Sequence, residues 1–408
     1  MDKPVVKPRF NVGGVRLERP FKIRRLGHFG VNVVDVPRAA HFYCDLLGLA
    51  ISDSINFNRD ENTAFEKVGS GLGYFLRHGT DHHSFVLFPL RAQNARPGRE
   101  RWPRDVTINQ ITWQVGSLRE VVEGNRWFEE RGQAIQRRGR DTPGSNWHTY
   151  PIGPGFHINE LYYGIEQIGW DGWSKPMAMH AIEYNEPPPL PHIAEYREVE
   201  LALERGVDVR TGHRHVDRNE AKYDVGGVLL PRPFKITRVG PVRLFVDDME
   251  ESLGFYRDAL GLAVTEEVSW RGHRCLFLRA GTEHHSMALY PRALRSELGL
   301  SQHTTLMAFG LQLGDYAQLR AAADFLKAKG VTLKHLPSEL CPGIDYSVLA
   351  IDPEGHAMQL YWSMEQIGWD GKPRPAELRR SIDNENWPDT LEPMTDTFAG
   401  EPYLGPLG

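Results

Sequence analysis

The chain has 408 residues, enough for two or three domains that each bury a core of their own. Lys and Arg total 48 against 53 for Asp and Glu, a formal charge of -5, so no basic excess exists to neutralise a phosphate backbone and nucleic acid is not expected as a partner. Hydrophobic residues at 40% and charged residues at 25% are ordinary globular values. No apolar run approaches the roughly 18 residues of a membrane span, so no membrane partner is expected either. Three cysteines, Cys44, Cys275 and Cys341, are too few and too scattered for a disulfide framework or a thiolate metal site. With no hydrophobic signal core in the first residues, they point to a reducing cytoplasm.

In chain order, an arm over residues 1–23 contains Val12-Gly-Gly-Val15 and Arg19-Pro-Phe-Lys-Ile23. The β-branched run Leu26 to Val33 predicts a strand, Pro37 to Leu46 a helix with Phe42 and Leu46 inward, and Tyr74-Phe75 and Ser84 to Phe88 short strands. The pattern restarts with a strand over Thr107 to Val115 and a helix over Leu118 to Arg131 closed by Gly132. Strands follow around His148 to Tyr150 and His157 to Tyr163. A linker over 176–222 holds the Pro187 to Pro191 run and a helix from Ile193 to Arg205 stopped by Gly206.

The chain then repeats itself. Val225-Gly-Gly-Val228 and Arg232-Pro-Phe-Lys-Ile236 return 213 positions after their first copies, as do Phe255-Tyr256, Asp258 and Leu260-Gly-Leu262 after Phe42-Tyr43, Asp45 and Leu47-Gly-Leu49. Gly79-Thr-Asp-His-His-Ser84 recurs as Gly281-Thr-Glu-His-His-Ser286 at an offset of 202, and Glu166-Gln-Ile-Gly-Trp-Asp-Gly172 recurs unchanged as Glu365 to Gly371 at 199. A tandem duplication results, with paired-unit domains at 24–175 and 223–372 and a Pro- and Gly-rich tail over 373–408 that drapes on the surface or packs on another subunit. The expected fold class is α+β: four βαβββ modules in two tandem homologous domains, each a curled mixed sheet around a cleft. Retention of the Glu-Gln-Ile-Gly-Trp-Asp-Gly segment in both halves argues for packing, with Trp170 and Trp369 as buried anchors. His213 and His215 are assigned to a solvated linker surface.

The run Leu26-Gly-His-Phe-Gly-Val-Asn-Val-Val-Asp-Val36, with Phe42-Tyr43 and Leu47-Gly-Leu49, resembles the opening of a vicinal oxygen chelate module. The closing strand of such a module is similar to Asp352-Pro-Glu-Gly-His356 leading into Gln359-Leu-Tyr361, and more loosely to Pro154-Gly-Phe-His157 leading into Glu160-Leu-Tyr162. That superfamily includes glyoxalases, bleomycin resistance proteins and type I extradiol ring-cleaving dioxygenases, and four modules in two pairs match the plan of the dioxygenases. The resemblance implies a metal held by His28, Gln110 and Glu160, with Fe(II) favoured and Mn(II) or another divalent ion as the alternative. Gln110 is a departure, because the dioxygenases carry His there; a neutral amide oxygen holds Fe(II) less firmly than imidazole, and His148 is the alternative third donor. The corresponding positions in the second half, Pro241, Ala308 and Gln359, give no site. The resemblance further implies His83 as a proton-shuttling histidine and Tyr150, opposite Leu349 of the second copy, as a substrate hydrogen-bonder, with His148 as a pocket residue. Trp113, Trp147, Phe156 and Tyr162 supply aromatic surface for a flat substrate. His157 carries less weight because His356 repeats it. The implied activity is metal-dependent extradiol cleavage of a catechol-like aromatic, with O2 as co-substrate, in an aromatic-catabolic homo-oligomer. The alternatives are a glyoxalase-type lyase or isomerase and a non-catalytic aromatic- or drug-binding protein.

Overall fold

The computed structural model describes residues 9–59, 71–95, 98–140, 144, 146–179 and 195–391. It opens on a hairpin, β1 (Phe10–Val12) and β2 (Val15–Leu17). The turn is the Val-Gly-Gly-Val motif, with Gly13 at φ 56° and Gly14 at φ 89°; two consecutive positive φ values define the two-residue turn whose twist matches antiparallel strands. The first sheet then collects β3 (Arg25–Val33), β4 (Ala50–Asn56), β5 (Leu72–Arg77), β6 (Phe85–Pro89), β7 (Ile108–Gln114), β8 (Ile135–Arg140), β9 (Trp147–Pro151) and β10 (Asn159–Tyr163). Their order is β4-β5-β6-β3-β7-β10-β9-β8. Two parallel pairs, β3 with β6 and β7 with β10, are joined through the antiparallel β3 and β7 at the centre.

Between β3 and β4 runs a helix, Val36–Ala40, capped by Asp35 and continuing as a π-helical turn over His41–Leu46. Between β7 and β8 lies a second helix, Leu118–Glu129, capped by Ser117, which lays Val121 and Phe128 on the sheet. The first half is therefore βαβββ twice. The second half repeats it. A hairpin of β11 (Tyr223–Val225) and β12 (Val228–Leu230) precedes β13 (Ile236–Val246), β14 (Ala263–Trp270), β15 (His273–Arg279), β16 (Met287–Pro291), β17 (Leu306–Leu313), β18 (Thr332–Lys334), β19 (Ser347–Ile351) and β20 (Ala357–Tyr361). Their order, β14-β15-β16-β13-β17-β20-β19-β18, is that of the first sheet. The expected α+β class of four modules in two homologous domains is the observed one.

The halves meet about a pseudo-dyad. His157 Nε2 lies 2.9 Å from Thr305 Oγ1, and the equivalent pair from the opposite sides, His356 Nε2 and Thr107 Oγ1, lies at 3.0 Å. Arg19 packs where a Cβ on Gly261 would stand, and Arg232 does the same at Gly48, so the Arg-Pro-Phe-Lys-Ile motif of each half rests on the helix-closing glycine of the other. Phe29 stacks on Phe309 at 4.3 Å within a core shared by both sheets.

Some expectations are corrected. Trp170 and Trp369 are 93% and 100% exposed, not buried anchors. The repeated segment does pack, but through other residues: Ile168 and Ile367 are buried, and short bridges tie Gln167 to Asp81 and Gln366 to Glu283, leaving each tryptophan on the turn beyond. His213 and His215 are not on a solvated surface but half-buried against the first domain, where the His213 amide donates to Ser174 and His215 Nδ1 accepts from the Ile51 amide at 3.1 Å. The linker helix spans Glu195–Glu204, while the proline run lies outside the described residues. As far as residue 391 the tail lies on the second domain, with the Tyr316 hydroxyl donating to the Pro388 carbonyl and Arg379 pairing with Glu266.

Candidate active site

β3, β7 and β10 are neighbours at the centre of the first sheet, so residues of one parity on each point into the same cleft. His28 from β3, Gln110 and Thr112 from β7, and Glu160 from β10 converge there, all buried. His28 Nε2 lies 3.0 Å from Glu160 Oε2, which also accepts from Gln110 Nε2 at 3.2 Å and Thr112 Oγ1 at 2.9 Å. The other oxygen, Oε1, accepts from Asn146 Nδ2 at 2.7 Å, and His148 Nδ1 stands 3.9 Å away. Burial alone would push the Glu160 carboxyl up, but His28, His148 and the Thr112 hydroxyl outweigh it and hold the group below the usual carboxylate range.

Tyr162 lies beside His28 with ring centroids 5.1 Å apart, an approach that requires Gly27, since a Cβ there would stand 2.2 Å from the Tyr162 hydroxyl. His83 meets the His28 ring edge-on at 4.3 Å. Burial, then the neighbouring His28 and His82, hold His83 well below the ordinary histidine range, so it is a neutral ring at pH 7. Tyr150 reaches the site through His148, ring centroids 4.7 Å apart on β9.

The residues named from sequence thus come together: His28, Gln110 and Glu160 around one carboxylate oxygen, His83 on one flank, His148 and Tyr150 on the other. Thr112 and Asn146 were missed. Thr112 lies two residues beyond Gln110 on the same strand face and was legible by alternation; Asn146 precedes β9 and carried no signal. The aromatic supply is smaller than expected. Trp113 points the opposite way into the core, donating Nε1 to Asn159 at 3.0 Å. Trp147 lines a cavity of about 150 Å³ beneath the Leu118–Glu129 helix. Phe156 sits half-exposed on Trp102, and Tyr162 touches the site through the His28 ring.

In the second half the cleft is filled. The counterpart of Gly30 on β3 is Arg243, fully buried on β13, whose guanidinium donates to the Leu340 carbonyl at 3.3 Å, Cys341 Sγ at 3.1 Å and His285 Nε2 at 3.2 Å. Phe277, Met307, Ala308 and Leu349 belong to one buried apolar cluster of this half.

The model of the glyoxalase/bleomycin resistance protein/dioxygenase superfamily matches residues 25–148 and again 238–360. The chain belongs to this superfamily. Among its relatives, 3-methylcatechol 2,3-dioxygenase of Pseudomonas putida is 25% identical over 146 residues, 35% of this chain and 43% of that protein. A 2,2',3-trihydroxybiphenyl dioxygenase of Sphingomonas paucimobilis is 27% identical over 133 residues, 32% of this chain and 42% of that protein. The chain thus matches less than half the length of these curated relatives. Among solved structures, the 2,3-dioxygenase LapB of Pseudomonas sp. KL28 superposes with a TM-score of 0.54 at 15% identity, covering 86% of this chain and 96% of its own. A Mn(II)-bound glyoxalase of Novosphingobium aromaticivorans does so at 0.52 and 15%, covering 86% and 85%. These likenesses establish the superfamily's fold across both halves. Among the described residues no helix is long and apolar enough to cross a membrane.

The donor set suits a divalent ion. Nε2 of His28 and Oε2 of Glu160 face each other at a distance where a shared proton can be replaced by a cation, and imidazole, carboxylate and amide oxygen are all ligand types for Mn(II) or Fe(II). Among the described residues no group of three His, Cys, Asp or Glu could hold a metal, so a three-donor shell depends on Gln110 turning its amide oxygen inward.

Proposed function

We propose that the first domain is a metal-dependent dioxygenase of the extradiol kind that opens the ring of a catechol-like aromatic with O2. The observation that supports this most is the convergence of His28, Gln110 and Glu160 from three adjacent strands, with a neutral, buried histidine in ring contact. His28, Glu160 and the Gln110 amide oxygen would hold the ion. When bound, Fe(II) or Mn(II) would supply a positive centre at which a catecholate and O2 can be gathered in reacting geometry. His83, kept neutral by its surroundings, can accept a proton from a catechol hydroxyl and return it later in the reaction. Tyr150 and His148 orient the ring, and Thr112 and Asn146 hold the carboxylate in place. Burial of the whole cluster keeps bulk water from the reacting oxygens.

One observation favours a second reading. Gln110 donates to Glu160 through its amide nitrogen, and an amide in place of imidazole suits the oxygen-independent lyases and isomerases of the superfamily, in which the ion polarises an enediolate. Titrating Fe(II) and Mn(II) anaerobically into wild type, His28→Ala, Glu160→Ala and Gln359→Ala, then admitting air and catechol, separates them. Metal binding lost only in the His28 and Glu160 variants, with a yellow ring-opened product, supports the dioxygenase; metal binding without product supports the second reading. Metal bound equally by all four would overturn the site.

A further inference from the structure

Both halves keep two adjacent histidines, although the second half has lost the residues proposed to bind metal. In each pair the Nδ1 atoms face each other, at 3.0 Å for His82 and His83 and at 3.1 Å for His284 and His285. Such a contact is a hydrogen bond only if one nitrogen carries a proton and the other is bare.

In the second half both ends of this chain are fixed by groups with no choice of role. Arg243 can only donate, so His285 Nε2, 3.2 Å from it, is bare and His285 Nδ1 carries the proton. His284 Nδ1 accepts that proton's hydrogen bond. His284 Nε2 is then the protonated nitrogen, 3.0 Å from Oε2 of Glu266, which only accepts. The first half repeats the histidine pair and places carboxylates near its outer nitrogen, though beyond hydrogen-bond distance. Asp53 stands at the position of Glu266, one methylene shorter, with its Oδ2 3.8 Å from His82 Nε2, and Glu166 Oε2 stands 4.0 Å from the same nitrogen. Gly144, at φ 96°, lets the backbone close over the Nδ1 contact; a Cβ there would stand 3.0 Å from His83 Nδ1 and 3.1 Å from His82 Nδ1. At the other end Gly30 stands where the second half has Arg243, so no guanidinium occupies His83 Nε2 from that position.

We propose that His82 is a positioning residue that fixes the tautomer of His83, keeping the His83 proton on Nδ1 so that its bare Nε2 faces the cleft as a proton acceptor. The second half, where Arg243 occupies that acceptor, is the internal record of the same arrangement. The catalytic use of Nε2 rests on the function proposed above; the tautomer assignment does not.

The test is a long-range proton–nitrogen correlation spectrum of the metal-free, full-length protein carrying 15N-histidine, which reports which ring nitrogen bears the proton. His83 and His285 should both appear protonated at Nδ1, and His82 and His284 at Nε2. In His82→Leu the acceptor is gone, and His83 should move its proton to Nε2. In His82→Asn, whose amide oxygen can accept from His83, the Nδ1 form should persist, which keeps the test informative if the leucine variant misfolds. With catechol, His82→Leu should lower kcat by roughly 10²-fold or more at unchanged KM, the scale of a lost general base, and His82→Asn should recover most of it. A wild-type His83 protonated at Nε2, or an Nδ1 form that survives in His82→Leu, would overturn the proposal even if the protein cleaves catechol. The predicted tautomers in a protein that never opens a ring would leave this assignment standing and remove the function instead.

Discussion

Acid should loosen the junction between the two halves, and His157 sets part of the pH at which it does so. Its ring is buried at the pseudo-dyad with Nε2 on Thr305 Oγ1, and burial, followed by the nearby Arg292, lowers its pKa to about 4. In the unfolded chain the group titrates near 6.5. Between those values the unfolded state binds the proton and the folded state does not, so stability is complete above about pH 6.5 and falls as pH drops toward 4. A gap of this size corresponds to roughly 3 kcal/mol in full and about 2 kcal/mol by pH 5. His157→Gln keeps a nitrogen donor where Nε2 stood but cannot titrate. Urea midpoints of wild type and variant between pH 4.5 and 8 measure the difference: the variant should be flatter by about 2 kcal/mol between pH 7 and 5. His78, also lowered to about 4 by burial and Lys235, remains in both proteins and leaves a residual slope. Parallel profiles would refute the assignment of the acid sensitivity to this junction.

Gln110→His should tighten Fe(II) binding by restoring an imidazole, and Gln110→Ala should weaken it, both read by anaerobic titration; equal affinities would show that position 110 does not meet the ion. Gly48→Ala places a side chain at φ 86° and against Arg232 of the other half, so it should cost about 1–3 kcal/mol in urea unfolding. Gly254, with open space around its Cβ position, should accept alanine at no comparable cost. Asn146→Ala removes a hydrogen bond to the buried Glu160 carboxylate and should destabilise the metal-free protein by about 1.5–3 kcal/mol, with the loss partly recovered on adding Mn(II).

The duplication, the module order and the central strands were legible because β3 is rich in Val, Leu and Phe, β7 carries Ile, Thr and Trp, β10 ends in Leu-Tyr-Tyr, and each motif returns in the second half. β4 and β8 were not. They are edge strands, and β8 reads Ile-Gln-Arg-Arg-Gly-Arg, the charged composition by which edges avoid further pairing. His28, Gln110 and Glu160 could be named because the resemblance to the superfamily assigns ligand positions on its central strands, whereas Asn146 comes from an irregular segment whose path only the tertiary structure defines. Trp170 misled for a related reason: repetition of a segment shows that it is retained, and here the buried isoleucine two residues earlier carries the packing. Arg243 was invisible as a cleft-filling group because arginine in a strand reads as a surface residue until its partners are known.

The most direct measurement of the central claim is oxygen consumption by the anaerobically Fe(II)-loaded protein on addition of catechol, followed together with ring opening by absorbance. One O2 taken up per catechol opened, abolished in Glu160→Ala and unaffected in Gln359→Ala, is the predicted result. Stable metal binding with no oxygen uptake across a panel of substituted catechols would contradict it.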